Sequence, residues 1–189
     1  MWSRTFPRLA LAAGLLAAAP ACTTQDRGAA PDASAPVRPV VSPLPPLPPE
    51  GLRLSCGDAI PGTAPPPGYR TVAGAVAVPT AVLGYDRSPD GPEPAWWFAK
   101  WGLYVRAGAA AEVRVAPGWA GRARIGWGRD AMPAETVQVG PCPAASATWL
   151  VFTGGTWVSD PSCVPLVVDS GGQRVDVPVA VGTPCAGPR

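Results

Sequence analysis

Val164-Pro-Leu-Val-Val168, Asp169-Ser-Gly-Gly172 and Val175-Asp-Val-Pro-Val-Ala-Val181 decide how this chain is read. Apolar residues recur at Val164, Leu166 and Val168, then at Val175, Val177, Val179 and Val181, a period of two and not 3.6. Such alternation gives a half-buried strand one apolar and one polar face. Between the two runs, Ser170-Gly-Gly172 supplies residues that tolerate the positive φ a tight hairpin turn demands. The stretch therefore predicts an antiparallel hairpin. Pro165 and Pro178 fall inside it; a proline has no N–H to donate to a ladder, so edge positions or bulges are expected there.

The same period extends outward along the chain. Leu103 and Val105 alternate with Tyr104 and Arg106, Val113 and Val115 with Glu112 and Arg114, and Ala123, Ile125 and Trp127 with Arg122 and Arg124. Val137 and Val139 flank Gln138, and Arg70 to Val82 is a weaker first candidate. Trp149-Leu-Val-Phe152 is apolar on both sides, as in a central strand. Turn signals at Ala107-Gly108, Pro117-Gly118 and Gly154-Gly155 separate the runs. No window carries a convincing amphipathic helix. About eight short strands at roughly ten-residue spacing predict an all-β sandwich or small barrel over residues 51–189, with an immunoglobulin-like β-sandwich as the expected form.

Composition narrows the chemistry. The chain has 189 residues, 22 of them Gly and 27 Pro, and only 15% are charged, well below the usual quarter. There is no His. That excludes Ser-His-Asp and Cys-His nucleophile pairs and His-based zinc sites. The absence of Asn excludes N-glycosylation. Paired carboxylates suffice for glycoside hydrolysis. Only ten acids follow residue 50, however, and none sits in a telling motif. The chain is therefore not expected to be an enzyme, with a small envelope hydrolase as an alternative.

The N-terminus directs attention to export. Arg4 and Arg8 precede an apolar run from Leu9 to Ala19, and Ala19-Pro20-Ala21 places small residues before Cys22. This is the three-part pattern of a signal peptide over residues 1–21, too short for a bilayer core. Cys22, followed by Thr23-Thr24-Gln25-Asp26, resembles the lipobox of bacterial lipoproteins, in which the Cys is diacylated and becomes the mature N-terminus. The sequence departs from that pattern at Ala19, where Leu is usual, and at Pro20. Ordinary cleavage and secretion is the other reading. Residues 22–50 hold eight Pro and few large apolar residues. Ser42-Pro-Leu-Pro-Pro-Leu-Pro-Pro49 favours polyproline II, so a disordered tether is expected rather than a folded unit. Removing residues 1–21 deletes Arg4 and Arg8 and no acid. Of 15 basic and 13 acidic residues, equal numbers remain, which argues against nucleic acid as a partner. The expected location is the outer face of the cytoplasmic membrane.

Five Cys are an odd number for an exported chain. Lipidation of Cys22 leaves Cys56, Cys142, Cys163 and Cys185, enough for two disulfides. Three pairings are open, and position favours Cys142 with Cys163 and Cys56 with Cys185. Zinc is the rival reading and fails for want of a CxxC pair or any His.

Trp101-Gly-Leu-Tyr-Val-Arg-Ala-Gly108, Ile125-Gly-Trp-Gly128, Gly140-Pro-Cys-Pro143, Trp149-Leu-Val-Phe-Thr-Gly-Gly-Thr-Trp-Val158, Pro161-Ser-Cys-Val-Pro-Leu166 and Val181-Gly-Thr-Pro-Cys185 occur in an order that resembles a small exported domain of uncharacterised actinobacterial proteins. The resemblance spans about residues 100–185, and Cys and Trp spacing is its most specific feature. It implies location and fold class, with no activity attached.

Two sets of side chains are candidate ligand contacts. Trp127, Trp149 and Trp157 lie in strand patterns and are expected in the core. Trp96 and Trp97 are adjacent and follow the Asp90-Gly-Pro-Glu-Pro94 loop; with Trp101 they would make a stacking platform for cell-wall glycan if exposed. Arg106, Arg114, Arg122 and Arg124, with Arg129, fall on the outward phase of neighbouring strands. If those strands share a sheet, the arginines cluster and suit an anionic glycan, a lipid head group or an acidic envelope protein. Asp86-Arg-Ser-Pro-Asp-Gly91 opens like a calcium loop, but its twelfth position is Trp97 rather than Glu, so a turn explains it better and no metal or cofactor is expected.

Overall fold

A computed structural model gives the fold and describes residues 51–87, 96–143 and 146–186. The expectations for the leader, Cys22 and the Pro-rich tether, and the Asp90–Pro94 loop, lie outside the described residues. Among the described residues the chain is all-β, with one 3-10 turn at Cys56–Asp58. The strands are β1 (Leu52–Leu54), β2 (Ile60–Gly62), β3 (Tyr69–Val72), β4 (Val76–Pro79), β5 (Asp86–Arg87), β6 (Trp97–Lys100), β7 (Leu103–Arg106), β8 (Ala111–Val115), β9 (Ala123–Trp127), β10 (Thr136–Val139), β11 (Trp149–Phe152), β12 (Gly154–Val158), β13 (Ser162–Ser170) and β14 (Gln173–Val181). They form three sheets: β1-β10-β8-β13-β14, β2-β11-β7-β4-β3 and β5-β6-β12-β9. We call these the first, second and third sheets.

The hairpin expected from residues 164–181 forms, with Ser170 opposite Gln173 and a two-residue turn at Gly171 and Gly172. Both turn residues have positive φ, 55° and 76°, the geometry that matches the twist of the flanking strands. Pro165 and Pro178 face each other across the hairpin. Neither can donate, so they occupy a pair that exchanges no hydrogen bonds. Pro178 then turns its nitrogen to the outer edge of β14, and Pro165 lies where the β8 ladder ends, its carbonyl accepting from Ala116 N–H at 2.9 Å. Edge placement is thus the solution for Pro178, whereas Pro165 lies in an interior strand at the point where its pairing with β8 ends.

Strands β6 and β7 run against β12 and β11 in one unbroken register, from Trp97 opposite Val158 to Arg106 opposite Trp149. The second and third sheets are therefore two arms of one ribbon, bent at Trp101-Gly102 and Thr153. Trp101 N–H carries the ladder through the bend by donating to Gly154 O at 2.9 Å. Two carbonyls at the bend accept from donors outside the ribbon. Trp127 Nε1–H donates to Trp101 O at 3.1 Å, and Gly128 N–H to Thr153 O at 2.9 Å. Trp101 Nε1–H in turn donates to Thr156 Oγ1 at 2.9 Å, and the rings of Trp101 and Trp127 meet edge to face at 4.8 Å.

Single bridges tie the first and third sheets together at both margins. Leu83 N–H donates to Ala180 O and Gly182 N–H to Leu83 O, joining the segment before β5 to β14. Ala134, just before β10, exchanges two 2.8 Å hydrogen bonds with Ile125 of β9. Hydrogen bonding thus runs round a closed circuit, which removes several exposed edges. Inside lie Leu103, Ile125, Trp127, Phe152 and Leu166 with a set of fully buried valines, the inward phase of the alternation. Trp127, Trp149 and Trp157 are buried, as expected for core residues.

The disulfides form among the four expected cysteines but with other partners: Cys56–Cys142 and Cys163–Cys185, with Cα–Cα distances of 5.4 and 4.9 Å. This corrects the pairing of Cys142 with Cys163 and of Cys56 with Cys185. β1 runs parallel beside β10, so the turn after β1 and the loop after β10 emerge at the same end and bring Cys56 to Cys142. Cys163, the second residue of β13, is opposite Ala180; the chain leaves β14 at Val181 and returns Cys185 to the same place. Two disulfides are consistent with an exported protein.

Candidate functional site

The outward phase of the first sheet brings together five polar residues that lie far apart in sequence. Arg53 of β1 is opposite Gln138 of β10, which is opposite Glu112 of β8, then Asp169 of β13, then Arg174 of β14. One row thus crosses all five strands. Its members are joined hand to hand. Arg53 Nη2 donates to Gln138 Oε1 at 3.0 Å, and Gln138 Nε2 donates to Glu112 Oε2 at 3.1 Å. Arg174 Nε donates to Asp169 Oδ1 at 2.8 Å.

Glu112 and Asp169 are directly opposed like charges, an unfavourable cross-strand pair. Arg114, two residues along β8 on the same face, resolves the conflict. Its Nη1 donates to Glu112 Oε1 at 2.7 Å and lies 3.0 Å from Asp169 Oδ2. The second contact is ionic rather than a well-directed hydrogen bond, since Asp169 Oδ2 is buried without a hydrogen-bond partner among the described residues. The hydrogen bond from Arg174, above all, holds the Asp169 carboxyl below its ordinary value of 3.8. Partial burial opposes that shift, and the charges of Arg174 and Arg114 add to it. The same pair raises Arg174 above its ordinary value.

Beside the row lies an open groove of about 390 Å³, which reaches from Arg53 to the Gly171-Gly172 turn and has Ala110 and Gly140 in its lining. Ser170 Oγ–H donates to Ala110 O at 2.7 Å and pins the hairpin turn against the end of β8.

The arginine cluster expected from the sequence does not form. Arg106, Arg114 and Arg124 belong to β7, β8 and β9, which lie in three different sheets, and Arg122 precedes β9. Each is occupied locally. Arg106 lies over the Trp149 ring at 4.7 Å and donates to Gly74 O. Arg122 lies over Trp119 at 4.2 Å. Arg124 is buried beside Glu135 at 3.2 Å. Arg129 reaches Asp58 at 3.6 Å. The tryptophan platform does not form either. Trp96 is 5% exposed and Trp101 4%, so Trp97 alone of the three is partly open. Its neighbours are the Tyr85 ring at 5.3 Å, edge to face, and Arg87 over its face at 4.7 Å.

Sequence reasoning placed Glu112 and Arg114 on an outward phase but did not single out Arg53, Gln138, Asp169 or Arg174 as a set. The alternation marks each as outward-facing. The register that aligns them depends on strand order, which single-strand periodicity does not encode. Comparison with protein-family models, with curated proteins and with solved structures found no match for this chain.

Proposed function

We propose that the chain is a non-catalytic module of the cell envelope, anchored by lipid on Cys22 to the outer face of the cytoplasmic membrane and binding through the outward face of the first sheet. The observation that carries the anchoring is cysteine accounting. Four of the five cysteines are paired with one another, and Cys22, in the lipobox-like Ala19-Pro20-Ala21-Cys22, is the fifth. Two acyl chains satisfy the two-signal rule for stable attachment. The Pro-rich stretch 22–50 is a spacer that holds the domain off the bilayer. The expected immunoglobulin-like sandwich is a scaffold of the kind that presents ligands on a sheet face.

A binding role is favoured over hydrolysis because Glu112 and Asp169, the two carboxylates beside the groove, are both tied up by guanidinium groups. A glycan module built on Trp96, Trp97 and Trp101 has less support, because two of the three rings are buried.

The test is radiolabelled palmitate incorporation with membrane fractionation in a bacterial host. The parent chain is expected to take up label and sediment with membranes, while Cys22→Ser loses label and appears in the soluble exported fraction. A Cys22→Ser chain that stays with the membrane overturns the anchor.

A further inference from the structure

The groove on the first sheet differs from the sites expected from the sequence in its charge and in its hydrogen-bonding character. Its wall is formed by Arg53, Gln138, Glu112 and Asp169. Arg114 and Arg174 already engage the two carboxylates, so the charges of the row nearly cancel and Arg53 is the one guanidinium of the lining left for an approaching anion. Each carboxylate has about four lone-pair sites and the guanidinium five N–H groups. The row uses only some of these. Glu112 accepts from Arg114 and Gln138, Asp169 Oδ1 accepts from Arg174, and Arg53 gives one N–H to Gln138. The remaining donors lie at the Arg53 and Gln138 end of the wall and the remaining acceptors on Glu112 and Asp169 beside them, each held by the hydrogen bonds and ion pairs of the row.

Donors and acceptors side by side on one charge-balanced wall select a ligand group that can do both. A hydroxyl donates once and accepts twice. An anion could use only Arg53 and would face Glu112 and Asp169. A cation could use only the carboxylates and would compete with Arg114 and Arg174, which already neutralise them. A run of neighbouring hydroxyls satisfies both kinds of group at once. The floor fits the same ligand, because Ala110, Gly140, Gly171 and Gly172 put no bulky side chain into the groove and let a ring approach the backbone. The groove crosses three inter-strand steps, about 14 Å at about 4.8 Å each, which suits an oligosaccharide rather than one ring. Its volume of about 390 Å³ lies within the usual range for ligand clefts.

We infer that the groove between Arg53 and the Gly171-Gly172 turn binds a neutral saccharide chain through its hydroxyls. The inference rests on the binding-module reading above and names its ligand class. It replaces both the anionic ligand and the tryptophan platform with a polar face that stacks on no aromatic ring.

The test is saturation-transfer difference NMR on the exported, disulfide-bonded protein purified from membranes in mild detergent. The neutral probes are cellohexaose, maltohexaose and N-acetylchitohexaose, and the anionic probe is a hexagalacturonate. At least one neutral hexamer is expected to give a saturable signal. Ala110→Trp, which fills the groove without touching the row, and Arg53→Ala, which removes its terminal donor, are each expected to weaken it by at least about tenfold, or about 1.4 kcal/mol. Both variants should melt like the parent. A signal that survives Ala110→Trp overturns the groove as the site, and a signal from the hexagalacturonate alone overturns the charge argument. No signal from any neutral hexamer overturns the saccharide. The palmitate experiment reads out separately, so any of these results removes the ligand class while leaving the anchored module standing or falling on its own evidence.

Discussion

Arg114 lies between two carboxylates that sheet register sets face to face, and the row depends on that one guanidinium and on Arg174 at its far end. The consequence is a specific acid sensitivity. Asp169 titrates below its ordinary value of 3.8 in the folded protein, chiefly because of the Arg174 hydrogen bond. A depressed folded pKa gives stability that is present above the unfolded value and lost as pH falls through the folded one. Chemical denaturation of the parent and of Arg174→Ala, run from pH 7 downward, should therefore show a gap that is constant above pH 3.8 and closes below it. A gap that persists unchanged at the acid end would assign the role of Arg174 to packing. The outward phase of Glu112, Asp169 and Arg174 was legible one strand at a time. Their alignment was not, because Asp169 reaches Glu112 only through a strand order that crosses 57 positions of sequence.

At the scale of the element, the bent ribbon of residues 97–106 and 149–158 decides how the second and third sheets meet. Gly154 and Gly155 are required there by close approach. A Cβ on Gly155 would fall on the Ala99 carbonyl oxygen and against the Phe98 ring, and one on Gly154 on the Gly126 carbonyl oxygen. Gly155→Ala is expected to destabilise the domain by about 1–3 kcal/mol, the usual cost of overpacking a filled interior, and thermal melting reads it directly. An unchanged melting point would mean the ribbon can open without loss. The sequence marked Gly154-Gly155 as a turn between strands. The chain instead passes the bend and continues as β12, because the glycines relieve a backbone collision rather than reverse direction. The hairpin at 164–181 was read correctly for the opposite reason: Gly171 and Gly172 carry positive φ and stand between two unambiguous alternating runs. The bend was harder to see because its donors are indole N–H groups of Trp101 and Trp127, whose partners are remote in sequence.

At the scale of the molecule, two disulfides close loops with sequence separations of 86 and 22 residues. On the chain-entropy account they are worth about 4–5 and about 3–4 kcal/mol. Cysteine spacing left three pairings open, and the choice among them follows from β1 lying beside β10 and from the return of the chain after β14, neither of which spacing records. The observed pattern joins neighbours in chain order, first with second and third with fourth among the domain's cysteines. For a polypeptide that crosses a membrane N-terminus first, each domain cysteine thus meets its partner as the next of them to arrive, and an oxidase alone can install both bonds without a reshuffling enzyme. Cys22 would upset that sequence, since it arrives before Cys56 and a free sulfur there is the first on offer. In a host with an oxidase and no isomerase, peptide mapping should find native pairs in the acylated chain and in Cys22→Ser. A chain with Cys22 left as a thiol should accumulate Cys22–Cys56. The proposed acylation of Cys22 would then be a proofreading step as well as an anchor: it would withdraw the one thiol whose early arrival would misdirect the oxidation of all the others.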